Sequence, residues 1–362
     1  MDQPEQHPTA ADRQSGGPSQ TNWNEFSRWL VRWLIFFMIS LGLGYAAVQR
    51  YDPRATAGLS DAAVYYRMVA GEPVQAREMR FRVLVPYVAK PFYALTRKFF
   101  ETTRAVNLAL LISNAIFCAT AACLLVAVGM RATGKLAVAL LGTTLYLLNF
   151  AVMNLLLAGL VDAGEACLML ALVATLFGDR WWLLPLWGLL GAMAKETFVP
   201  LAGVMALVWW YVEFGQSRER LRKLLPIAVM LAVALTTIVI LRTTVASAVV
   251  ISDMFAQTHA TSGGFSGFAG ALFSPTFWYV FIWLLPLGLM QLKALPRPWV
   301  LASIFSALTA LVLGVYRDIG GNVTRPMFDA IGPLLSLSAA IFLSEVGKRG
   351  LANDLTPTFK PE

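Results

Sequence analysis

Ten apolar runs, most of them close to 20 residues long, punctuate this 362-residue chain, and no other feature restricts its fold as severely. They fall at about 29–48, 107–130, 135–154, 157–178, 181–194, 197–212, 224–244, 277–293, 299–316 and 330–346. A helix rises about 1.5 Å per residue and the hydrocarbon core of a bilayer is about 30 Å thick, so about 20 apolar residues cross it once. Backbone groups in lipid must find partners within their own segment, which leaves helices as the solution for such runs. The chain therefore reads as an all-α, polytopic integral membrane protein with about ten membrane passes. Its composition is 57% apolar and 14% charged, against about 45–50% and about 25% in soluble proteins. A soluble globular domain is excluded, and 11 Trp with 22 Phe exclude a disordered chain.

Residues 1–25 read as a disordered cytoplasmic tail, rich in Pro, Gly, Ser and Gln; 26–346 as the membrane domain; and 347–362 as a second cytoplasmic tail. The first apolar run follows Arg28 and Arg32 and is expected to remain as an anchor, not to be cleaved as a signal peptide. The runs 181–194 and 197–212 are short and separated only by Lys195-Glu196. Two full passes and a re-entrant hairpin are both open, and in either case the chain returns to the side it left.

Basic residues orient the chain. With the N-terminus inside, 15 Lys and Arg residues fall in cytoplasmic segments, and outside the long first loop only Lys195, Arg242, Arg317 and Arg325 face outward. That asymmetry over short loops places both termini in the cytoplasm. The first outer loop, 49–106, breaks the rule with ten basic residues of its own, among them Arg80, Arg82 and Lys90. Within it Ser60 to Ala70 and Val83 to Phe99 alternate apolar and basic positions, as helices lying on a membrane surface do. The second outer loop, 246–276, carries the glycine-bearing run THATSGGFSGFAG and suits either a mobile cover or a plain connector.

Several chemistries are excluded at once. Cys118, Cys123 and Cys167 lie inside apolar runs without metal-ligand spacing, and His7 and His259 are too few for a histidine metal cluster. A net charge of +8 without a soluble basic domain reflects the cytoplasmic excess, and no nucleic-acid partner is implied.

With this topology Asp61, Arg80, Arg82, Asp162, Glu165, Lys195, Glu196, Arg317, Asp318, Arg325 and Asp329 gather at the outer face, which predicts one polar cavity. Asp61 follows Ser60 at a helix start, where it serves either as a cap or as a base within reach of an incoming hydroxyl. Arg80 and Arg82 suit phosphate oxygens, or lipid headgroups if they are only solvated. Lys195-Glu196 interrupts about 30 apolar residues, as a turn ion pair or as part of the cavity. Asp162 and Glu165 share a helical face; they are too few for a metal site alone, and pairing with Lys195 is the plainer expectation. Asn322-Val-Thr324 fits an N-glycosylation sequon, a pattern frequent by chance.

The order of these features resembles the GT-C class of polytopic glycosyltransferases over about 25–346. Four runs carry the likeness: SDAAVYYRMVAG, FRVLVPYVAKP, AKETFVP at the hairpin tip and TRPMFDAIGP in the late outer loop. The resemblance implies a GT-C-like fold and transfer of a sugar from a polyprenyl-phosphate donor to a glycan, lipid or protein acceptor, in a bacterial inner or plasma membrane. It implies Asp61 as catalytic base or acceptor-binding group, and Arg80, Arg82, Lys195 and Arg325 as ligands of the lipid phosphate, with Glu196 beside them and Asp162 and Glu165 as cavity carboxylates. No cofactor is implied. The chain departs from the class by lacking two adjacent acidic residues after the first span and a soluble C-terminal domain. A transporter or flippase, a polysaccharide polymerase or ligase and a noncatalytic scaffold are the rival readings. No second broken hairpin supports the transporter, and residues 246–276 lack the arginines that a polymerase would place there.

Overall fold

A computed structural model describes residues 18–50, 60–74, 79–215, 220–245, 269–270, 272–316 and 323–354. The ordered elements among them are helices: α1 (Pro18–Arg50), α2 (Ser60–Ala70), α3 (Leu84–Thr96), α4 (Thr102–Thr133), α5 (Leu136–Leu147), α6 (Asp162–Phe177), α7 (Leu184–Ala194), α8 (Phe198–Phe214), α9 (Arg220–Thr244), α10 (Pro275–Phe281), α11 (Leu284–Leu289), α12 (Arg297–Tyr316) and α13 (Thr324–Asp354). Shorter π and 3-10 turns lie at Val152–Leu156, Trp181–Leu183 and Leu292–Ala294. Most of the two expected tails, most of the second outer loop with His259, and the segment holding Arg317, Asp318 and Asn322 lie outside the described residues. Helix α1 starts at Pro18 and α13 continues to Asp354, so each helix extends into the range expected for a tail.

Five segments are long and apolar enough to cross a bilayer: Phe26–Val48, Thr102–Thr133, Arg220–Thr244, Arg297–Gly314 and Thr324–Lys348. This is a helical membrane protein. The outward face of α1 presents Trp29, Leu30, Leu34, Ile35 and Met38, side chains that lipid satisfies and water would not. Helices α4 and α13 are central, with 67% of their most apolar windows buried, against 22% for α1 and α9 at the periphery. Helix α4 packs on α1, α3, α5 and α6, while α13 packs on α5, α11 and α12, α7 on α9, and α8 on α12. Small buried residues on α4, including Ala105, Ala109, Ala115, Ala119 and Ala122, let the neighbouring backbones approach closely.

The expected spans at 135–154, 157–178 and 277–293 are shorter or broken, each for a local reason, whereas 181–194 is helical over the short run expected. Residues 135–154 form α5 and then bend, because Asn149 directs its side chain to backbone: Oδ1 accepts from Ala151 N at 2.9 Å and Nδ2 donates to Val280 O at 3.0 Å. Such competition with the helical ladder is typical of asparagine. Gly159, at φ +81°, then turns the chain ahead of α6. In 277–293, Pro286 cannot continue the helix from α10, and the chain restarts as α11. In the hairpin, Pro200 lies four residues after Glu196, so an unbroken helix through 196 would bring its ring against that carbonyl. The chain opens there instead, and Lys195 is extended at φ −167°, ψ 144°.

Helices α2 and α3 occupy nearly the segments expected for them. Helix α2 buries Ala62, Tyr65, Tyr66 and Val69, while Arg67 is exposed. The first turn of α3 lies against the start of α6, where a Cβ built on Gly164 would stand 3.0 Å from Val85 Cγ2. Ser113 on α4 donates to Val85 O at 3.2 Å and fixes the same turn. Gly164→Val is therefore expected to force α3 off α6 and lower stability by about 1–3 kcal/mol, the usual cost of overpacking. Thermal unfolding of the purified protein in detergent checks this.

Candidate functional site

Of the polar residues expected to converge, Asp61, Arg82, Asp162, Glu165, Lys195, Glu196, Arg325 and Asp329 do so, where α2, α6, the α7–α8 break and α13 begin, whereas Arg80 does not and Arg317 and Asp318 lie outside the described residues. Asp162 and Glu165 stand in the first turn of α6, three residues apart and therefore on one face, so a single ammonium group reaches both. That ammonium is Lys195: Nζ lies 2.6 Å from Asp162 Oδ1 and 3.1 Å from Glu165 Oε2. The first contact is a directed hydrogen bond, whereas Glu165 Oε2 lies off the line of one and pairs by charge. Thr197 Oγ1 donates to Glu165 Oε1 at 2.5 Å. On the other side, Arg325 Nη1 lies 3.5 Å from Asp162 Oδ2 and 4.0 Å from Asp61 Oδ2. A charge chain thus runs Asp61, Arg325, Asp162, Lys195, Glu165, with carboxylate side chains 21%, 3% and 0% exposed in that order.

A second bridge ties the hairpin tip to the segment before α3. Arg82 grips Glu196 with both arms of its fork, Nη2 to Oε1 at 2.6 Å and Nε to Oε2 at 2.9 Å, and donates from Nη1 to Tyr65 Oη at 2.9 Å. Tyr65 is four residues beyond Asp61 and shares its face of α2. Burial alone would raise the Glu196 carboxyl, but the Arg82 guanidinium overrides it and holds the group at about 2. Burial pushes the Tyr65 phenol up to about 12, with Arg82 opposing only in part. Burial would likewise strip Lys195 of its proton, yet Asp162 and Glu165 more than offset that and keep the ammonium charged.

Asp329, one turn after Arg325 on α13, lies within electrostatic reach of Glu165, Lys195, Asp162 and Arg325. It is 2% exposed, and neither carboxyl oxygen has a hydrogen-bond partner among the described residues. The cluster thus sets three cations, Arg82, Lys195 and Arg325, against five carboxyls, Asp61, Asp162, Glu165, Glu196 and Asp329. Arg82 and Lys195, expected to face a phosphate, direct their donors to internal carboxylates. Among the described residues no group of three or more His, Cys, Asp or Glu is arranged to hold a metal ion.

Arg80 stands apart from its neighbour. Phe81, 1% exposed, lies between the two arginines in sequence, and the Arg242 guanidinium stacks on its ring at 4.6 Å. Arg80 lines a separate open groove of about 430 Å³ with Glu72, Tyr87, Lys90 and Val245. Reasoning from sequence missed the roles of Tyr65, Thr197 and Arg242. The i to i+4 spacing from Asp61 could have found Tyr65, and adjacency to Glu196 could have found Thr197. No local signal links Arg242 to Phe81. Comparison with protein-family models and with curated proteins gives no match for this chain.

Two outcomes test this geometry. Removing one partner of a buried pair leaves an uncompensated charge and typically costs about 3–5 kcal/mol. Lys195→Met should therefore lower thermal stability by that order, and adding Asp162→Asn with Glu165→Gln should restore part of it. For Glu196 the folded carboxyl is more acidic than its ordinary value of 4.5, so its contribution is complete above about 4.5 and fades as pH falls toward about 2. The melting-temperature gap between wild type and Glu196→Gln should be constant from neutral pH to about 5 and shrink below about 4.5.

Proposed function

We propose that the chain is a membrane glycosyltransferase of GT-C type, moving a sugar from a polyprenyl-phosphate donor to an acceptor hydroxyl at the extracytoplasmic face. The observation that carries this reading is the meeting of Asp61 and Arg325. A carboxylate 21% exposed and a guanidinium 12% exposed, from α2 and α13, stand 4.0 Å apart, and Asp61 is the most exposed carboxylate of the ion-paired network. One presents an acceptor for a proton and the other a positive charge, which are the two needs of a displacement at an anomeric carbon.

In this mechanism the acceptor hydroxyl oxygen attacks the anomeric carbon and forms the new glycosidic bond. Its proton passes to the Asp61 carboxylate. The bond from the anomeric carbon to the phosphate oxygen breaks, and its electron pair leaves with the phosphate, beside Arg325. A single displacement inverts the sugar carbon. Lys195 and Arg82 act one step back: they neutralise Asp162, Glu165 and Glu196 and fix the positions of Arg325 and of the α2 face that carries Asp61.

The topology that goes with this reading has about ten passes and both termini in the cytoplasm of a bacterial inner membrane, so the charge cluster faces outward. The basic excess of the short loops supports it. The helices too short to cross alone, α5, α6, α7 and α8, would complete their passes through the turns that flank them.

Asp61→Asn keeps the shape and removes the base. In membranes supplied with polyprenyl-phosphate sugars, turnover should fall about 10²–10⁴-fold at unchanged expression, the usual contribution of a positioned base. Unchanged turnover would remove Asp61 from the reaction.

A further inference from the structure

We propose that the groove holding Arg80 and Lys90 is a second anion site, separate from the charge cluster, and that it takes the phosphoryl headgroup of a membrane lipid. The groove shares none of its lining residues with the charge cluster. Asp61 opens α2, whereas the groove begins at Met68, seven residues on, or about 10 Å along the axis. Arg82 turns toward Tyr65 and Glu196, and Arg80 turns into the groove. The sealed Phe81 ring, covered by Arg242, stands between them in the chain.

The lining matches an amphiphile better than a free ion. Met68, Pro73, Val74, Val83, Pro86 and Val245 make the walls apolar. Lys90 Nζ sits 4.7 Å over the Tyr87 ring, which holds the ammonium beside the groove, and Tyr87 is 49% exposed. Arg80 Nε is buried without a hydrogen-bond partner, a cost that an incoming phosphate oxygen would relieve. Among the described residues Glu72 is the one carboxylate in the lining, set against Arg80 and Lys90, a balance of one positive unit. Its position decides the source of the phosphate. Val245 directly follows Thr244, where an apolar span ends, so the groove opens at the level where lipid headgroups lie.

This assignment does not depend on the transferase reading and is tested without turnover. The full chain is placed in nanodiscs of phosphatidylcholine with or without phosphatidylglycerol, and bound lipid is counted by native mass spectrometry. Phosphatidylglycerol should be retained over phosphatidylcholine. Retention should weaken about 5-fold in Arg80→Gln or Lys90→Gln and about 25-fold in the double variant, at roughly the strength of one surface cation per step. Glu72→Gln should tighten it, which keeps the test decisive if the double variant misfolds. Arg97→Gln, a cation stacked on Tyr93 outside the groove, and Asp61→Asn should leave retention unchanged. Equal retention in the Arg80, Lys90 and Glu72 variants would overturn the site, as would equal binding of phosphatidylcholine. Displacement by inorganic phosphate at matched concentration would overturn the lipid as its source.

Discussion

The structure depends on one ammonium group held between two carboxylates inside a helical bundle. An unpaired charge at that depth is costly, and a buried pair is tolerated only when its geometry satisfies both partners. Lys195 meets that condition through Asp162 and Glu165, which α6 delivers on one face. Satisfying Lys195 has structural consequences for three elements. It fixes the break between α7 and α8, the starting point of α6 and, through Asp162, the position of Arg325 on α13.

The cations expected at the outer face fall into two kinds. Arg82 and Lys195 belong to the scaffold, because their donors are directed to Glu196, Asp162 and Glu165. Arg80 and Lys90 line an open groove. A linear pattern of basic residues cannot express this difference, since Arg80 and Arg82 are two positions apart and point to different neighbours. The cluster itself sets five carboxyls against three cations.

What could be read from the sequence follows from how locally each feature is determined. Helices α2, α4, α9 and α12 were legible because apolar or amphipathic periodicity and flanking charges suffice to define them. The hairpin tip was legible because Lys195-Glu196 is so costly within an apolar stretch that it had to be special. The lengths of α5, α6, α10 and α11 were not legible from hydropathy: side-chain hydrogen bonding by Asn149 and the ring of Pro286 interrupt runs whose apolar character continues unchanged. In the site, Asp61, Asp162, Glu165, Lys195 and Arg325 could be grouped by topology alone. The pairing of Asp162 and Glu165 with Lys195 was legible too, from their shared helical face, but that of Arg82 with Glu196 and of Arg325 with Asp61 and Asp162 was not, because it rests on contacts such as Arg82 with Tyr65 and on the close fit of Val85 against Gly164.

The Pro200 break also bears on how the protein is made. The α7–α8 hairpin emerges from the ribosome after α6 and long after Arg82, so its charged tip finds both sets of counter-ions already synthesised. Until they dock, the hairpin carries two charges into the bilayer without relief and is poorly suited to insert alone. Docking of the tip is then coupled to two elements at once, since Lys195 needs α6 and Glu196 needs Arg82. A chain that fails there leaves an ammonium and a carboxylate at the tip without their counter-ions.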